Sequence, residues 1–396
     1  MSALYTCIDS VAPDQLALLR RLVNIDSGTY NKPGVDEVGE VLRAEMAALG
    51  LQVEVVPQPE VGNHVLARKP GTSGREILLL GHMDTVFPPG TVDQRPFRVE
   101  GGRAYGPGVY DMKGGLVIAL FALKALKSQS PRTWERLGLR VVFNSDEETG
   151  SDTSRELIAR EAARVGAACV LEPARAGGEY VSQRKGVGSF RLAVRGKAAH
   201  AGAQPELGAN AIVDLAAKIT ALQALNDPAT GLTLNVGVIH GGERSNVVPD
   251  FAECEIDVRV TTSAMIEHIR AELERVAATV AVPGTRATLA GNFQHYPMEL
   301  GLEARRLFDL LARAGADIGL EVKHLPTGGA SDGNTTSRFV PTLDGMGACG
   351  NFAHGPDEYV EIASLPERAK VLARFLELWL HEAEQPPVAH ESKVGN

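Results

Sequence analysis

The chain has 396 residues, 44% hydrophobic and 22% charged, which suits two folded domains and argues against wholesale disorder. Its 49 acidic and 40 basic residues leave a formal charge of −9; phosphate binding needs a basic face, so nucleic acid is not expected as a partner. Four scattered cysteines, Cys7, Cys169, Cys254 and Cys349, form no CxxC pair, no basic and apolar leader opens the chain, and no apolar run nears the ~18 residues of a membrane span. A cytoplasmic protein with no membrane attachment is expected.

In chain order, residues 13–23 read as a helix, with Pro13 early and Leu16, Leu19, Leu22 and Val23 on one stripe. A second amphipathic helix over 36–49 buries Val38, Val41, Leu42 and Met46 and stops at Gly50. Strands follow at 52–56, 64–69 and 77–80. The last is an unbroken apolar run leading into Gly81-His82-Met83-Asp84-Thr85. Residues 86–110, rich in Pro, Gly and Tyr, form a long loop of the kind that serves active sites. Asp111-Met112-Lys113-Gly114-Gly115 then opens a helix that is apolar almost all round, and therefore buried. A strand at 139–143 ends in Asn144-Ser145-Asp146-Glu147-Glu148-Thr149-Gly150. After a helix near 154–165, a strand at 168–171 ends in Glu172-Pro173. This alternation predicts an α/β fold with a doubly wound, mostly parallel sheet.

The pattern changes near Lys185. Strands at 190–194, 233–239, 254–260 and 286–289, with helices at 210–225 and 263–278, follow the β-α-β-β-α-β order of a ferredoxin-like α+β unit. A ferredoxin-like domain over 186–291 is thus expected inside a catalytic domain made of 1–185 and 292–396. Elements at 299–314, 321–325 and 363–381 would complete the sheet domain. The tail 385–396, with Pro386 and Pro387, is expected to fray.

Three apolar strands of the sheet domain end in potential ligands: His82 with Asp84, Glu147 with Glu148, and Glu172. Catalytic groups in open α/β sheets collect outside the carboxyl ends of the strands. Asp111 precedes a buried helix, and His354 lies late in the chain among small and turn residues. Each has a plain alternative: a helix cap, a solvated turn, an ordinary loop histidine. Together they form a set of two imidazoles and several carboxylates without thiolate, suited to Zn²⁺, Mn²⁺ or Co²⁺.

These segments resemble the motifs of the M20 family of co-catalytic zinc peptidases, most closely its glutamate carboxypeptidase (carboxypeptidase G2-like) branch. Besides the stretches above, the resemblance rests on Gly106-Pro107-Gly108, Gly196-Lys197-Ala198-Ala199-His200-Ala201-Gly202 and Ser245-Asn246-Val247-Val248-Pro249. It continues through Asp257-Val258-Arg259, Gly328-Gly329-Ala330-Ser331-Asp332-Gly333-Asn334 and His354-Gly355. The motifs fall in order from residue 81 to residue 355.

The resemblance implies two Zn²⁺ per subunit, for which Co²⁺ or Mn²⁺ can substitute. His82 and Glu172 would hold one ion, Glu148 and His354 the other, and Asp111 would bridge them. Asp84 would orient the ring of His82, and Glu147 would act as general base and acid. His200, in the inserted domain, would reach the active site of a partner subunit in a homodimer and stabilise the oxyanion, assisted by Asn246. Arg259 would grip a free α-carboxylate; read without the family, it pairs with Asp257 or Glu255 at the surface. Gly328, Gly329 and Ser331 would line the substrate pocket.

Within the family, Glu at position 172 goes with carboxypeptidases and deacylases. The implied activity is release of a C-terminal amino acid from an N-acyl or peptidyl small-molecule substrate. The loop 173–186 departs from the glutamate-cleaving members, which place a substrate-binding Lys there. A deacylase or detoxifying amidase with an aromatic or aliphatic leaving amino acid is the alternative. An inactive metal-bound binding protein would be expected to have lost Glu147 or a ligand, and all are present.

Overall fold

The computed structural model describes residues 2–382, so the tail expected to fray lies outside the described residues. Two compact units emerge. The first combines the chain through Ser182 with Leu300–Pro326 and the residues from Ser331 onward; the second comprises Gln183–Glu299 and Thr327–Ala330.

The first unit is built on a six-stranded sheet in the order Gln52–Val56, His64–Lys69, Gly138–Asn144, Glu76–His82, Ala167–Val170, Thr342–Leu343. The three pairings from Gly138–Asn144 onward are parallel, and the two at the opposite edge are antiparallel. Ile77, Leu78, Leu79 and Leu80 are fully buried because helices cover both faces of the sheet. Ile77 and Leu79 pack into the larger core with the helix Gly114–Gln129, while Leu78 and Leu80 pack against Leu157, Ile158 and Ala162. A strand buried on both sides carries a continuous apolar run. Gly114–Gln129 is likewise buried around nearly its whole circumference.

The second unit has a four-stranded antiparallel sheet in the order Thr233–Gly241, Phe251–Val260, Gly186–Arg195, Arg286–His295, with helices Ala211–Gln223 and Ser263–Ala278. One face supplies Phe190, Leu192, Val194, Cys254, Ile256 and Val258 to a core with those helices.

Several elements differ from the sequence expectation. A helix at Ala3–Ser10 precedes the first one expected, and its Leu4, Tyr5 and Ile8 are buried. The stretch 173–186, read as a loop, contains the strand Tyr180–Arg184. The last strand of the second unit runs on to His295 past Gly291, whose φ of 124° carries the chain through a conformation open to glycine. Propensity does not register such extensions, because strand pairing sets them.

Candidate metal centre

Parallel register explains how distant residues meet. Leu80 lies opposite Val170 and His82 opposite Asn144. His82 and Glu172 therefore each stand two residues beyond a paired position, and Glu147 and Glu148 follow just past Asn144. His82 Nε2 is 3.7 Å from Glu172 Oε1 and 3.2 Å from Asp111 Oδ1. Glu147 and Glu148 begin a short 3₁₀ turn, Glu147–Thr149, so the two adjacent carboxylates diverge. Glu148 joins His82 and Asp111 in one potential metal-binding group, and Glu147 joins His82 and Glu172 in another.

Asp111 is delivered by a turn whose N–H groups at Gly108, Tyr110 and Asp111 all donate to the buried Glu358 carboxylate, at 3.1, 2.8 and 3.0 Å. The helix behind it must come close to the sheet: a Cβ at Gly115 would stand 2.1 Å from the Leu171 carbonyl oxygen. His354 comes from a tight loop in which Phe352 and His354 both adopt left-handed backbone, φ 62° and 64°. Such conformations are strained for non-glycine residues and collect at functional sites. Its Nε2 lies 3.1 Å from Asp111 Oδ2 and 3.2 Å from Glu148 Oε2, so Asp111 spans the two histidines with one oxygen each.

Asp84 is fully buried and holds several groups at once. Its carboxylate accepts from Thr29 Oγ1 at 2.7 Å and from the N–H groups of Glu147 and Glu148 at 3.3 and 3.2 Å. It stands 3.4 Å from His82 Nδ1, whose shorter contact, 2.9 Å, is to the carbonyl oxygen of Asp84 itself. Asp84 thus ties the Glu147–Glu148 turn to the His82 ring. A second brace comes from Asp332, which accepts from Asn144 Nδ2 at 2.8 Å and Ser151 Oγ at 2.6 Å and so clasps both ends of that turn. No spacing in the sequence distinguishes Thr29 or Glu358 from other loop residues, and the motif that contains Asp332 gives it no role of its own; only the fold brings the three here.

The charge balance is unusual for an interior. Burial, then the neighbouring Glu172, pushes the Glu147 carboxyl well above the usual range, and burial also raises Glu148. Burial would raise Asp111 too, but hydrogen bonds with His354 and His82 outweigh it and hold that carboxyl low. The same contact with Asp111, then that with Glu148, lifts His354 to about 11. Four acids face two imidazoles, and the buried Glu148 Oε1 has no hydrogen-bond partner among the described residues. The donor set fits divalent cations: neutral imidazoles and ionised carboxylates would ligate, and the displaced protons would leave.

The remaining candidates lie elsewhere. His200 and Asn246 belong to the second unit, where Ala199–His200 pairs with Val247–Val248 and the Ala201 N–H donates to the Asn246 carbonyl at 3.0 Å. His200 Nδ1 accepts from the N–H groups of Gly202 and Ala203, both at 3.1 Å, which leaves Nε2 as the protonated nitrogen. Arg259 Nε donates to both oxygens of Asp257, at 2.9 and 3.2 Å. Gly328 and Gly329 are exposed in the second unit, whereas Ser331 is buried in the first and donates to Asp344 Oδ2 at 2.7 Å.

A carboxylate-bridged histidine and acid cluster at the strand ends of an α/β sheet defines a metallohydrolase. The model of peptidase family M20/M25/M40 matches residues 78–378, and the chain belongs to that family. It is 32% identical to carboxypeptidase G2 from Pseudomonas sp. over 95% of this chain and 91% of that enzyme. It is 27% identical to acetylornithine deacetylase from Proteus mirabilis over 92% of this chain and 96% of the relative. The fold is shared with aminopeptidase PepT from Bacillus cereus, at a TM-score of 0.80 and 22% identity over 93% of this chain and 98% of that one. It is also shared with a dinuclear metal-binding M20 peptidase from Bacillus subtilis, at a TM-score of 0.70 and 17% identity over 94% of this chain and 99% of that one.

Proposed function

We propose that the protein is a dinuclear zinc amidohydrolase that releases a C-terminal amino acid from an N-acyl or peptidyl substrate. The observation that carries this reading is the placement of Asp111 between His82 and His354, with Glu148 and Glu172 beside the histidines. In it, His82 and Glu172 would hold one ion, Glu148 and His354 the other, and Asp111 would serve both. Paired ions, when bound, acidify a shared water and polarise the scissile carbonyl. Glu147, with its raised carboxyl, takes the proton from the attacking water and passes it to the leaving amine. Asp84 keeps the Glu147–Glu148 turn and the His82 ring in place.

The reading includes a homodimer in which His200 of one subunit, through Nε2–H, and Asn246 stabilise the oxyanion at the other subunit's site, while Arg259 and the segment Gly328, Gly329 and Ser331 receive the substrate. Support for association comes from the edge strand Thr233–Gly241, where Ile239 is 56% exposed, and from Val213 on the neighbouring helix, 54% exposed. An exposed apolar edge invites a partner. A reducing, cytoplasmic setting accords with four cysteines that are all unpaired, and no helix among the described residues is long and apolar enough to cross a membrane.

An aromatic or aliphatic leaving amino acid, in a deacylase or detoxifying amidase, is the second reading. Lys185 Nζ donates to the Gly231 carbonyl at 2.6 Å, and Arg184 to those of Gly329 and Ala330 at 3.3 Å. Arg184 and Lys185 are thus engaged by backbone and not offered to a glutamate side chain. The test is a screen of N-acyl-glutamate, N-acyl-phenylalanine and simple dipeptides on enzyme loaded with Zn²⁺, Co²⁺ or Mn²⁺ in turn. Hydrolysis is expected for at least one class; none with any metal overturns the proposal.

A further inference from the structure

His64 opens the strand His64–Lys69 and is fully buried, yet no step of the hydrolysis read above uses it. We propose that His64 is a positioning residue: through the hydroxyl of Thr153 and the carboxylate of Asp146, its imidazole sets the turn that carries Glu147 and Glu148. The inference rests on the amidohydrolase reading above and adds a residue to its machinery.

Apolar packing does not call for a histidine here. The strand goes on with buried Val65, Leu66 and Ala67, and an imidazole withdrawn from water costs free energy unless its nitrogens are bonded. Both are. Nδ1 lies 3.0 Å from Ser145 Oγ and Nε2 3.1 Å from Thr153 Oγ1. Ser145 gives its one proton to the Gly62 carbonyl, so its oxygen accepts from Nδ1–H. Burial, the largest influence, holds the ring below its ordinary pKa and hence neutral, although Asp146 and Asp84 favour the charged form. In a neutral ring with its proton on Nδ1, Nε2 is an acceptor. Thr153 therefore stands between two acceptors, Nε2 and, at 2.8 Å, Asp146 Oδ2, with one proton to share. Its hydroxyl couples the imidazole to the carboxylate.

Asp146 immediately precedes Glu147 and holds the loop that follows. Its carboxylate also accepts from the Thr153 N–H and from Ser154 Oγ, both at 2.6 Å. Its carbonyl accepts from the N–H groups of Thr149 and Ser151, at 3.3 and 2.8 Å. The loop needs holding: Gly150 and Ser151 are both at positive φ, 101° and 59°, and for serine that backbone is strained. The other end of the chain is anchored as well. Asn63 N–H donates to Asp36 Oδ1 at 2.7 Å, and Asn63 Oδ1 accepts from Lys32 Nζ at 2.9 Å, both partners lying on the helix Lys32–Ala48. A Cβ at Gly62 would stand 2.3 Å from Val35 Cγ1 of that helix. The imidazole thus links a fixed strand start to a strained loop that bears the general base and a ligand. Side chains that hold such a loop act on rate and metal affinity without touching substrate.

The test uses the full chain, metal-loaded, with its best substrate from the screen above. Thr153 is exposed, so Thr153→Val removes the hydroxyl without opening the core. It is expected to lower kcat about tenfold with KM within about twofold. Metal affinity in chelator competition should fall by about tenfold, and the melting temperature should stay within about 2 °C. Thr153→Ser, which restores the hydroxyl, should recover kcat and affinity to within about twofold. His64→Leu should reproduce the Thr153→Val losses, and the double variant should be no worse than either alone, because members of one chain are not additive. Native kcat and metal affinity in Thr153→Val overturn the proposal and leave the amidohydrolase standing. Equal losses in Thr153→Val and Thr153→Ser overturn it too, since the hydroxyl is then not what matters, and so do losses that add in the double variant. Should His64→Leu fail to fold, the Thr153 pair decides. If the native enzyme hydrolyses nothing, the amidohydrolase reading falls by itself, and chelator competition on the Thr153 pair still decides whether the hydroxyl holds the turn.

Discussion

The strands Glu76–His82 and Phe251–Val260 both lie inside their sheets, but they are made differently. The first is apolar at every position from Ile77 to Leu80 and ends in a histidine. The second alternates, with Ala252, Cys254, Ile256, Val258 and Val260 buried and Glu253, Glu255, Asp257 and Arg259 on the other face. A strand covered on both faces has no lateral surface left for function, so its chemistry must gather at its end. A strand covered on one face keeps a broad polar surface and needs no special terminus. The contrast places the candidate metal ligands at strand ends of the first unit and gives the second a broad polar face, on which Arg259 lies.

If that division holds, changes at the strand ends of the first unit should remove turnover without unfolding it. The largest effect is expected for Glu147→Gln: a fall in kcat of about 10³-fold, within the range for losing a general base, with bound metal by elemental analysis unchanged. Loss of the metal together with turnover would assign Glu147 to the ligand set, as its closeness to His82 and Glu172 allows.

Next comes Asp214 of the second unit, which pairs with Lys218 at 3.2 Å and accepts from the N–H groups of Ala281 and Val282 at 2.7 and 3.0 Å. Asp214→Ala strands a buried cation and two donors, and should cost about 3 kcal/mol of stability by denaturant titration. Burial pushes this carboxyl up, but the Val282 and Ala281 N–H groups and then Lys218 hold it below its ordinary value. Its contribution is therefore present above pH ~4 and fades as the pH falls through the folded-state value. A stability loss from Asp214→Ala that grows on acidification would contradict this assignment.

Asp84→Asn offers a middle case, since the amide presents a donor to the N–H groups of Glu147 and Glu148. Metal affinity by competition with a chelator should fall about 10–100-fold; unchanged affinity would reduce Asp84 to packing. The smallest effect is expected for Glu255→Ala on the exposed face of the second sheet, a stability change within about 0.5 kcal/mol. A larger loss would mean that this face is not simply solvated.

Much of the first unit could be read from the chain because its signals are local: apolar runs, a turn after each, and a ligand type in the turn. His82, Asp111, Glu147, Glu148, Glu172 and His354 stood out as residue types, and the structure brings all six within one cluster. Thr29 and Glu358 did not stand out, and Asp332 lay within a matching motif without a role of its own. Their importance comes from donors and acceptors up to 250 positions away, which no local pattern shows. Arg259 could be read two ways from sequence, and in the structure it faces Asp257.

The order of strands and helices, the change of character near Lys185 and the chemical types available for a metal site were determined by the sequence itself, through hydrophobic period and turn chemistry. Which oxygen meets which nitrogen was decided only by tertiary structure. Parallel register aligns His82 with Glu172, a left-handed loop turns His354 back onto Asp111, and Asp84 and Asp332 hold the turn that separates Glu147 from Glu148. Those are distances between segments remote in the chain, and they are set by packing the buried sheet and not by any propensity of the residues that use them.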